Sequence, residues 1–193
     1  MPKPSHRTKL LTEGLRVVHE RGFAGASVRD IVQAAGVPQG SFTNHFATKE
    51  AFGLEIIELY FERSRVVIDA TLRNDALPPL QRLRDYIDAN KNRLNQDGMR
   101  TGCLFGNFSL EASDHSEAIR LRIVEIFAEV QDSVAYCLKA AVAHGELPPA
   151  TDCDAVAGFV VASLQGATLL AKAQRSPAPV ERFQEILFSK VLR

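Results

Sequence analysis

The chain has 193 residues, 46% hydrophobic and 24% charged, and its 23 basic side chains balance its 23 acidic ones. That composition fits an ordinary globular protein and excludes low-complexity, collagen-like and disordered classes, while the absence of an unbroken apolar run argues against a membrane span. The zero net charge hides an asymmetry, since residues 1–50 carry +3 and the remaining 143 carry −3, so one end is suited to phosphates.

No sustained two-residue alternation and no hairpin dipeptide is present, so the expected fold class is all-α. The polar, basic stretch Met1–Lys9 lacks a signal-peptide core, and its apolar followers Leu10, Leu11, Leu15, Val17 and Val18 space a first helix from Arg7 to Arg21, stopped by Gly22. Ser27 is an N-cap with Asp30 three residues on, opening a short helix that ends at Ala35 before Gly36. Pro38 sits where the next helix, to Phe46, would begin. Thr48 caps a long one running through Phe52, Ile56 and Tyr60 towards Leu72. Five more helical segments follow, Leu80–Asn95, Cys103–Ala112, Ser116–His144, Cys153–Arg175 and Ala178–Leu192, divided at Asp97-Gly98, Ser113-Asp114, Gly145–Pro149 and Ser176-Pro177. About nine helices result. They divide into a compact head, a connector and a five-helix body, with no internal repeat.

The sharpest signal lies between Ser27 and Glu50. Ile31, Val32, Ala35, Val37, Phe42 and Phe46 can close a small core around the Ala-Gly-Val-Pro turn, leaving the outer face of Pro38–His45 free for a DNA major groove. That face carries Pro38, Gln39, Gly40, Ser41, Thr43, Asn44 and His45. Gln and Asn can pair bidentately with adenine, while Ser and Thr can reach bases or phosphates. Ser27, Arg29 and Lys49 stand at helix N-termini, where backbone amides favour phosphate oxygens.

The stretch Ser27-Val-Arg-Asp-Ile-Val-Gln-Ala-Ala-Gly-Val-Pro-Gln-Gly-Ser-Phe-Thr-Asn-His-Phe-Ala-Thr-Lys-Glu-Ala-Phe closely resembles the helix-turn-helix signature of the TetR repressors. Total length, helix count and the long fourth helix agree with it. The resemblance implies an N-terminal three-helix DNA-binding domain, 1–50, and a C-terminal helical bundle, 51–193, that binds an effector and dimerises. The partners implied are a palindromic double-stranded DNA operator, a small-molecule effector and a second copy of the chain, in the cytoplasm and without a membrane. No cofactor and no metal are expected. Thr43 departs from the family, which usually has Tyr there to touch the DNA backbone.

In the body, Cys153–Arg175 carries Gly158, Ala162 and Gly166 at four-residue spacing, a small-residue stripe that lets another helix approach closely. Val156, Phe159, Val160 and Leu164 fall on its other faces, where they can fill core. The last helix adds Val180, Phe183, Ile186, Leu187 and Val191 on one side, with Phe183 and Leu187 expected at the interface. The resemblance implies that these two helices pair with their symmetry mates as a four-helix bundle. Packing of the stripe within one protomer is the alternative.

The segment Thr101-Gly-Cys-Leu-Phe-Gly-Asn-Phe-Ser-Leu-Glu holds two glycines in a short helix, each costing about 1 kcal/mol relative to Ala. Cys103 is expected in its first turn, where amide dipoles favour a thiolate. The Gly-Cys-Leu-x-x-Asn-x-x-x-Glu pattern resembles the subgroup of TetR repressors that sense electrophiles or oxidants through a cysteine at this place. A small buried hydrophobe is the other reading of Cys103, and Cys137 and Cys153 are expected in the core. The three cysteines show no C-x-x-C spacing, which argues against a disulfide framework or zinc site. A reversible effector would be lined by Tyr86, Phe105, Phe108, Phe127 and Leu169, with Asn107 as polar contact; the same aromatics would serve as bundle core. An enzyme using Cys103, Glu111 and His115 is the rival from another class, but nothing in the sequence fixes their geometry. An activator, or an architectural DNA protein without effector, are further readings.

Overall fold

In the computed structural model, residues 5–193 are described, so Lys3, counted above in the basic head, lies outside the described residues. Nine α-helices and one π-helical turn, with no strand among the described residues, make the chain all-α. Local chemistry sets most boundaries. Helix α1 (His6–Arg21) starts at Ser5, whose hydroxyl accepts from the Thr8 amide, and stops at Gly22 with φ +80°. Helix α2 (Val28–Ala35) opens on a complete capping box between Ser27 and Asp30 and closes at Gly36 in the left-handed region, where glycine carries no Cβ penalty. Helix α3 (Gly40–His45) begins two residues later than the proline suggested. Pro38 and Gln39 form a tight turn instead, in which the Ser41 amide donates to the Pro38 carbonyl at 2.9 Å.

Helix α4 (Lys49–Ala70) is capped by Thr48 and α5 (Pro79–Asn95) starts on proline. Helix α6 (Leu104–Glu111) loses one expected residue at each end. Helix α7 (Glu117–Ala143) is capped by Ser116, whose hydroxyl accepts from the Ile119 amide at 3.1 Å. Helix α8 (Cys153–Gln174) is capped by Asp152, and α9 (Ala178–Ile186) passes into a π-turn, Leu187–Val191. The Leu192 amide reaches the Leu187 carbonyl at 2.9 Å, which breaks the expected single helix to residue 192.

The chain forms two compact units: Leu104–Val124 packs with the residues up to Arg63, and Ser64–Cys103 packs with Glu125–Arg193. The first unit buries Leu10, Ile31, Val32, Ala35, Val37, Phe42, Phe46, Phe52 and Ile56, including the whole small core expected around the turn. The rings of Phe42, Phe46 and Phe52 meet with centroids 5.0 to 5.2 Å apart. Each such side chain contributes roughly 1.5–3 kcal/mol on burial. Gly14 of α1 makes room for this cluster, because a Cβ there would collide with the Phe52 ring. The same unit holds Tyr60 and Phe61 edge-on to Phe105, and Phe23 against Phe108.

The second unit buries Leu83, Ile87, Val134, Leu138, Ala157, Val160, Leu164 and Val180. Its one fully buried cation, among the described residues, is Arg82 at 2% exposure, which donates to Asp75 at 2.5 Å and to the Leu77 carbonyl at 2.7 Å. Cys137 and Cys153 are core, as expected, and burial pushes the Cys137 thiol up to about 11.

Helix α8 bears on two expectations and corrects the second. By length and composition it is apolar enough to cross a membrane, although only a third of that stretch is buried within the protein. The demand for an unbroken apolar run missed it, because Ser163, Gln165 and Thr168 interrupt the pattern. The small-residue stripe is also divided. Gly158 faces Gln131 of α7, whose amide lies 3.5 Å from where a Cβ would stand, whereas Ala162 and Gly166 are exposed. Phe159, expected in the core, stands out at 47% exposure.

Candidate DNA interface and effector site

The head presents α3 by burying one side of it. Phe42 and Ser41 face inward, while Pro38, Gln39, Gly40, Thr43, Asn44 and His45 are exposed. Six helical residues are too few to be stable alone, so packing of Phe42 and Phe46 against Phe52, not propensity, holds the helix. Nothing lies within 4 Å of a Cβ built on Gly40. The protein's own packing therefore does not demand glycine there, and the bare backbone is offered outward.

Four of the expected contact residues are engaged within the head. Ser41 is only 7% exposed and shares a hydrogen bond with His6 Nδ1 at 3.2 Å, so it is a linker between α1 and α3 and leaves the outer face. Ser27 is exposed, but its hydroxyl donates to the Asp30 carboxylate at 2.5 Å and accepts from the Asp30 amide at 3.1 Å. The Ser27 hydroxyl and amide, helped by the Arg21 guanidinium, hold the Asp30 carboxyl below its ordinary value. Thr43 donates its hydroxyl to the Gly40 carbonyl at 3.1 Å, which spends the one proton it could give a phosphate. Lys49 turns inward, its Nζ donating to the Phe23 carbonyl at 2.6 Å and lying 4.8 Å from the Phe23 ring centroid. Burial pulls the Lys49 ammonium below its ordinary value, with the Glu111 charge opposing. Arg29 remains exposed on the first turn of α2.

The seven effector candidates are divided between the compact units. Phe105, Asn107 and Phe108 belong to the first, with both phenylalanines buried; Tyr86, Cys103, Phe127 and Leu169 belong to the second. Leu169 is 57% exposed, which removes it from any interior lining. It shares the outward face of α8 with Ala162 and Gly166, at the spacing that repeats along one side of a helix. Cys103 is half-buried and stands just before α6, not in its first turn. In its own unit, Gly102 (φ +73°) is covered by the Lys172 side chain, and Arg93 donates to the Gly102 carbonyl at 3.4 Å. The Tyr86 phenol is pushed up to about 12, first by burial and then by the Cys103 charge.

On the outward side of α8 and α9 lies an apolar groove of about 380 Å³ that includes Phe159, Gly166, Leu170, Phe183, Ile186 and Leu187. Gly166, Phe183 and Leu187 were expected at an interface and Ile186 on the same apolar side of the last helix; Phe159 and Leu170 were not. Their signal was present in the sequence as apolar residues seven before and four after Gly166, but the fully apolar character of α8 concealed which side faced out. Glu111, which closes the Gly-Cys-Leu-x-x-Asn-x-x-x-Glu pattern and was also considered for catalysis, accepts from the Ala24 amide at 3.0 Å.

Comparison with known proteins agrees with this architecture. Residues 10–56 match the family described as bacterial regulatory proteins, tetR family, and residues 79–187 match the tetracyclin repressor-like C-terminal domain. The chain is 36% identical over 192 residues to the HTH-type transcriptional repressor DhaR of Mycobacterium sp. (strain GP1), covering 100% of this chain and 95% of DhaR. A crystal structure of regulatory protein TetR from Rhodobacter sphaeroides is similar with a TM-score of 0.88 at 32% identity, covering 93% of this chain and 95% of that one. The reduced form of E. coli NemR gives 0.84 at 29% identity, covering 92% of both chains. A helix-turn-helix head, an all-helical body and relatives named as repressors converge on one conclusion: the chain belongs to the TetR family of transcriptional regulators.

Proposed function

We propose that the chain is a cytoplasmic, homodimeric one-component repressor, released from a palindromic operator by a small-molecule or reactive effector. The observation that carries the DNA reading is α3, whose inner side is locked by Phe42 and whose outer side offers Gln39, Gly40, Asn44 and His45. Gln39 and Asn44 have the amide pair that matches adenine, Gly40 admits close backbone approach, and Arg29 supplies a phosphate contact. Ser27, Ser41, Thr43 and Lys49 serve this interface by fixing the segments around it. DNA binding is assigned to residues 1–50; effector binding and dimerisation are assigned to 51–193. This is a division of roles and not of packing. The apolar groove on α8 and α9 is the surface for the second copy, with Gly166, Phe183 and the exposed Phe159 and Leu170 along it; Leu187, expected at the interface, is 1% exposed and forms the groove's floor from the protomer core, and Ala162 is exposed on α8 outside its lining.

The function is regulatory and not catalytic. Of the three residues that could make a nucleophilic set, Glu111 is committed to the Ala24 amide. No cofactor or metal is required by this reading. Cys103 is the candidate switch, since a half-buried thiol directly before α6 sets its chemical state next to that helix, which keeps Gly106 but not Gly102. The test is binding of the purified protein to its own upstream intergenic DNA at fixed salt, with and without iodoacetamide, beside Cys103→Ser. Tight binding that is lost on alkylation in the wild type and kept in the variant supports the cysteine switch. Binding indifferent to alkylation overturns the switch and leaves a reversible effector; no specific binding overturns the operator reading at this site.

A further inference from the structure

We propose that the Glu111 carboxylate is the positioning group that ties α6 to the DNA-binding head, by gripping the loop Gly22–Ala24 between α1 and α2. This rests on the operator reading only where the consequence for DNA is concerned; the grip itself lies wholly inside the first compact unit.

The loop is held from two sides, residue by residue. The Ala24 amide donates to Glu111 Oε2 at 3.0 Å across 87 residues of sequence. Gly22 adopts φ +80°, and a Cβ on it would stand 2.6 Å from both carboxylate oxygens, so the loop backbone and the carboxylate approach each other closely. Phe23 lays its ring on Phe108 of α6 with centroids 4.9 Å apart. From the start of α4, Lys49 Nζ takes the Phe23 carbonyl at 2.6 Å, and Gly53 leaves no space beyond the same ring, where a Cβ would come within 2.8 Å. Within the Gly-Phe-Ala-Gly-Ala segment the Ala26 amide donates to the Gly22 carbonyl at 3.0 Å, closing a turn whose Ala24 and Gly25 are exposed and whose two glycines enlarge its unfolded freedom, so the Ala24 amide is left for the carboxylate.

Helix α6 starts immediately after Cys103 and ends on Glu111, a rod of eight residues, about 12 Å long. A shift or fraying of α6 therefore displaces the carboxylate and frees the Ala24 amide, changing the loop that leads into α2. This route reaches the helix-turn-helix directly and does not need α4 to swing. Coupling of this kind is reciprocal: if α6 biases the head, operator binding must bias α6.

Hydrogen exchange of the full chain tests both halves, in wild type, Glu111→Ala and Glu111→Gln, free and with the upstream operator DNA. Loss of a hydrogen bond to a charged acceptor should speed exchange of the 22–26 amides roughly tenfold or more in Glu111→Ala. Glu111→Gln retains an acceptor oxygen and should restore most of the protection. DNA should slow exchange in α6 of the wild type and fail to do so in Glu111→Ala. Glu111→Asp, which keeps the charge but draws the carboxylate one methylene back from the Ala24 amide, serves as the second variant if Glu111→Ala lowers the melting temperature, and should show the same loss of DNA-induced protection in α6. Unchanged exchange at 22–26 in Glu111→Ala, or wild-type protection of α6 by DNA in that variant, overturns the proposal. If wild-type protein binds no specific DNA, the operator reading fails, while the 22–26 comparison on free protein still decides the grip.

Discussion

Ser27 accepts from the Asp30 amide while its hydroxyl and its own amide both donate to the Asp30 carboxylate, so two side chains satisfy the first turn of α2 reciprocally. Removing the hydroxyl in Ser27→Ala should cost about 1 kcal/mol in denaturant unfolding at neutral pH. The pH dependence follows from Asp30, whose carboxyl lies below its ordinary 3.8 because Ser27 and Arg21 favour the charged form. A depressed carboxyl adds stability that is complete above the unfolded value and is lost as pH falls through the folded one. The difference between wild type and Ser27→Ala should therefore be constant from pH 7 down to about pH 5 and shrink below about pH 4. A difference that stays flat into acid would show that the carboxylate contributes nothing to the cap. Because α2 carries Arg29 and leads into α3, the same substitution should also weaken DNA binding, through placement of the helices and not through a lost contact.

Helix α3 makes a prediction of opposite signs. Gly40 has open space beside its Cα, and glycine in a helix is less stable than alanine by roughly 0.5–1 kcal/mol. Gly40→Ala should leave thermal stability equal or slightly raised, yet weaken operator binding, because the methyl occupies the path by which the backbone approaches DNA. Equal affinity for the operator would place α3 elsewhere than against the duplex. That outer face was largely legible in the sequence, as were the helices themselves, because caps and stops are local: Ser27, Thr48, Gly22 and Gly36 all act where they were expected. What escaped was decided by partners far along the chain. Ser41 turns inward because His6 lies opposite it, and Lys49 turns inward because the Phe23 carbonyl is there. Neither pairing has a spacing rule. On α8 the difficulty was different, since a helix with apolar residues on every side gives periodicity nothing to measure. Phe159 and Leu169 were therefore placed inside when both lie outside.

For the whole molecule, the outward side of α8 and α9 sets the question of what covers it. Phe159, Leu170 and Ile186 are exposed beside Gly166, whose Cβ position is empty, and the groove between the helices is apolar. A patch of this kind is costly in water and marks an interface. Insertion of α8 into a lipid bilayer would strip Ala157, Val160, Leu164 and Ala171, on its other side, out of the protomer core. A second copy satisfies the face without disturbing that core, and two heads on one body can read a palindrome with half-sites about 34–36 Å apart or a multiple of it. Leu170→Glu places a charge in this groove at a residue already 52% exposed in the protomer. The folded protomer should tolerate it, with far-ultraviolet circular dichroism unchanged, while sedimentation equilibrium shifts from dimer to monomer. Operator affinity should then fall by far more than for a surface substitution, because each head must bind alone and the effective-concentration advantage of linking them is lost. A Leu170→Glu protein that remains dimeric would assign the second copy to another face. One that becomes monomeric yet binds the operator undiminished would show that a single head suffices, and the palindrome would lose its physical basis.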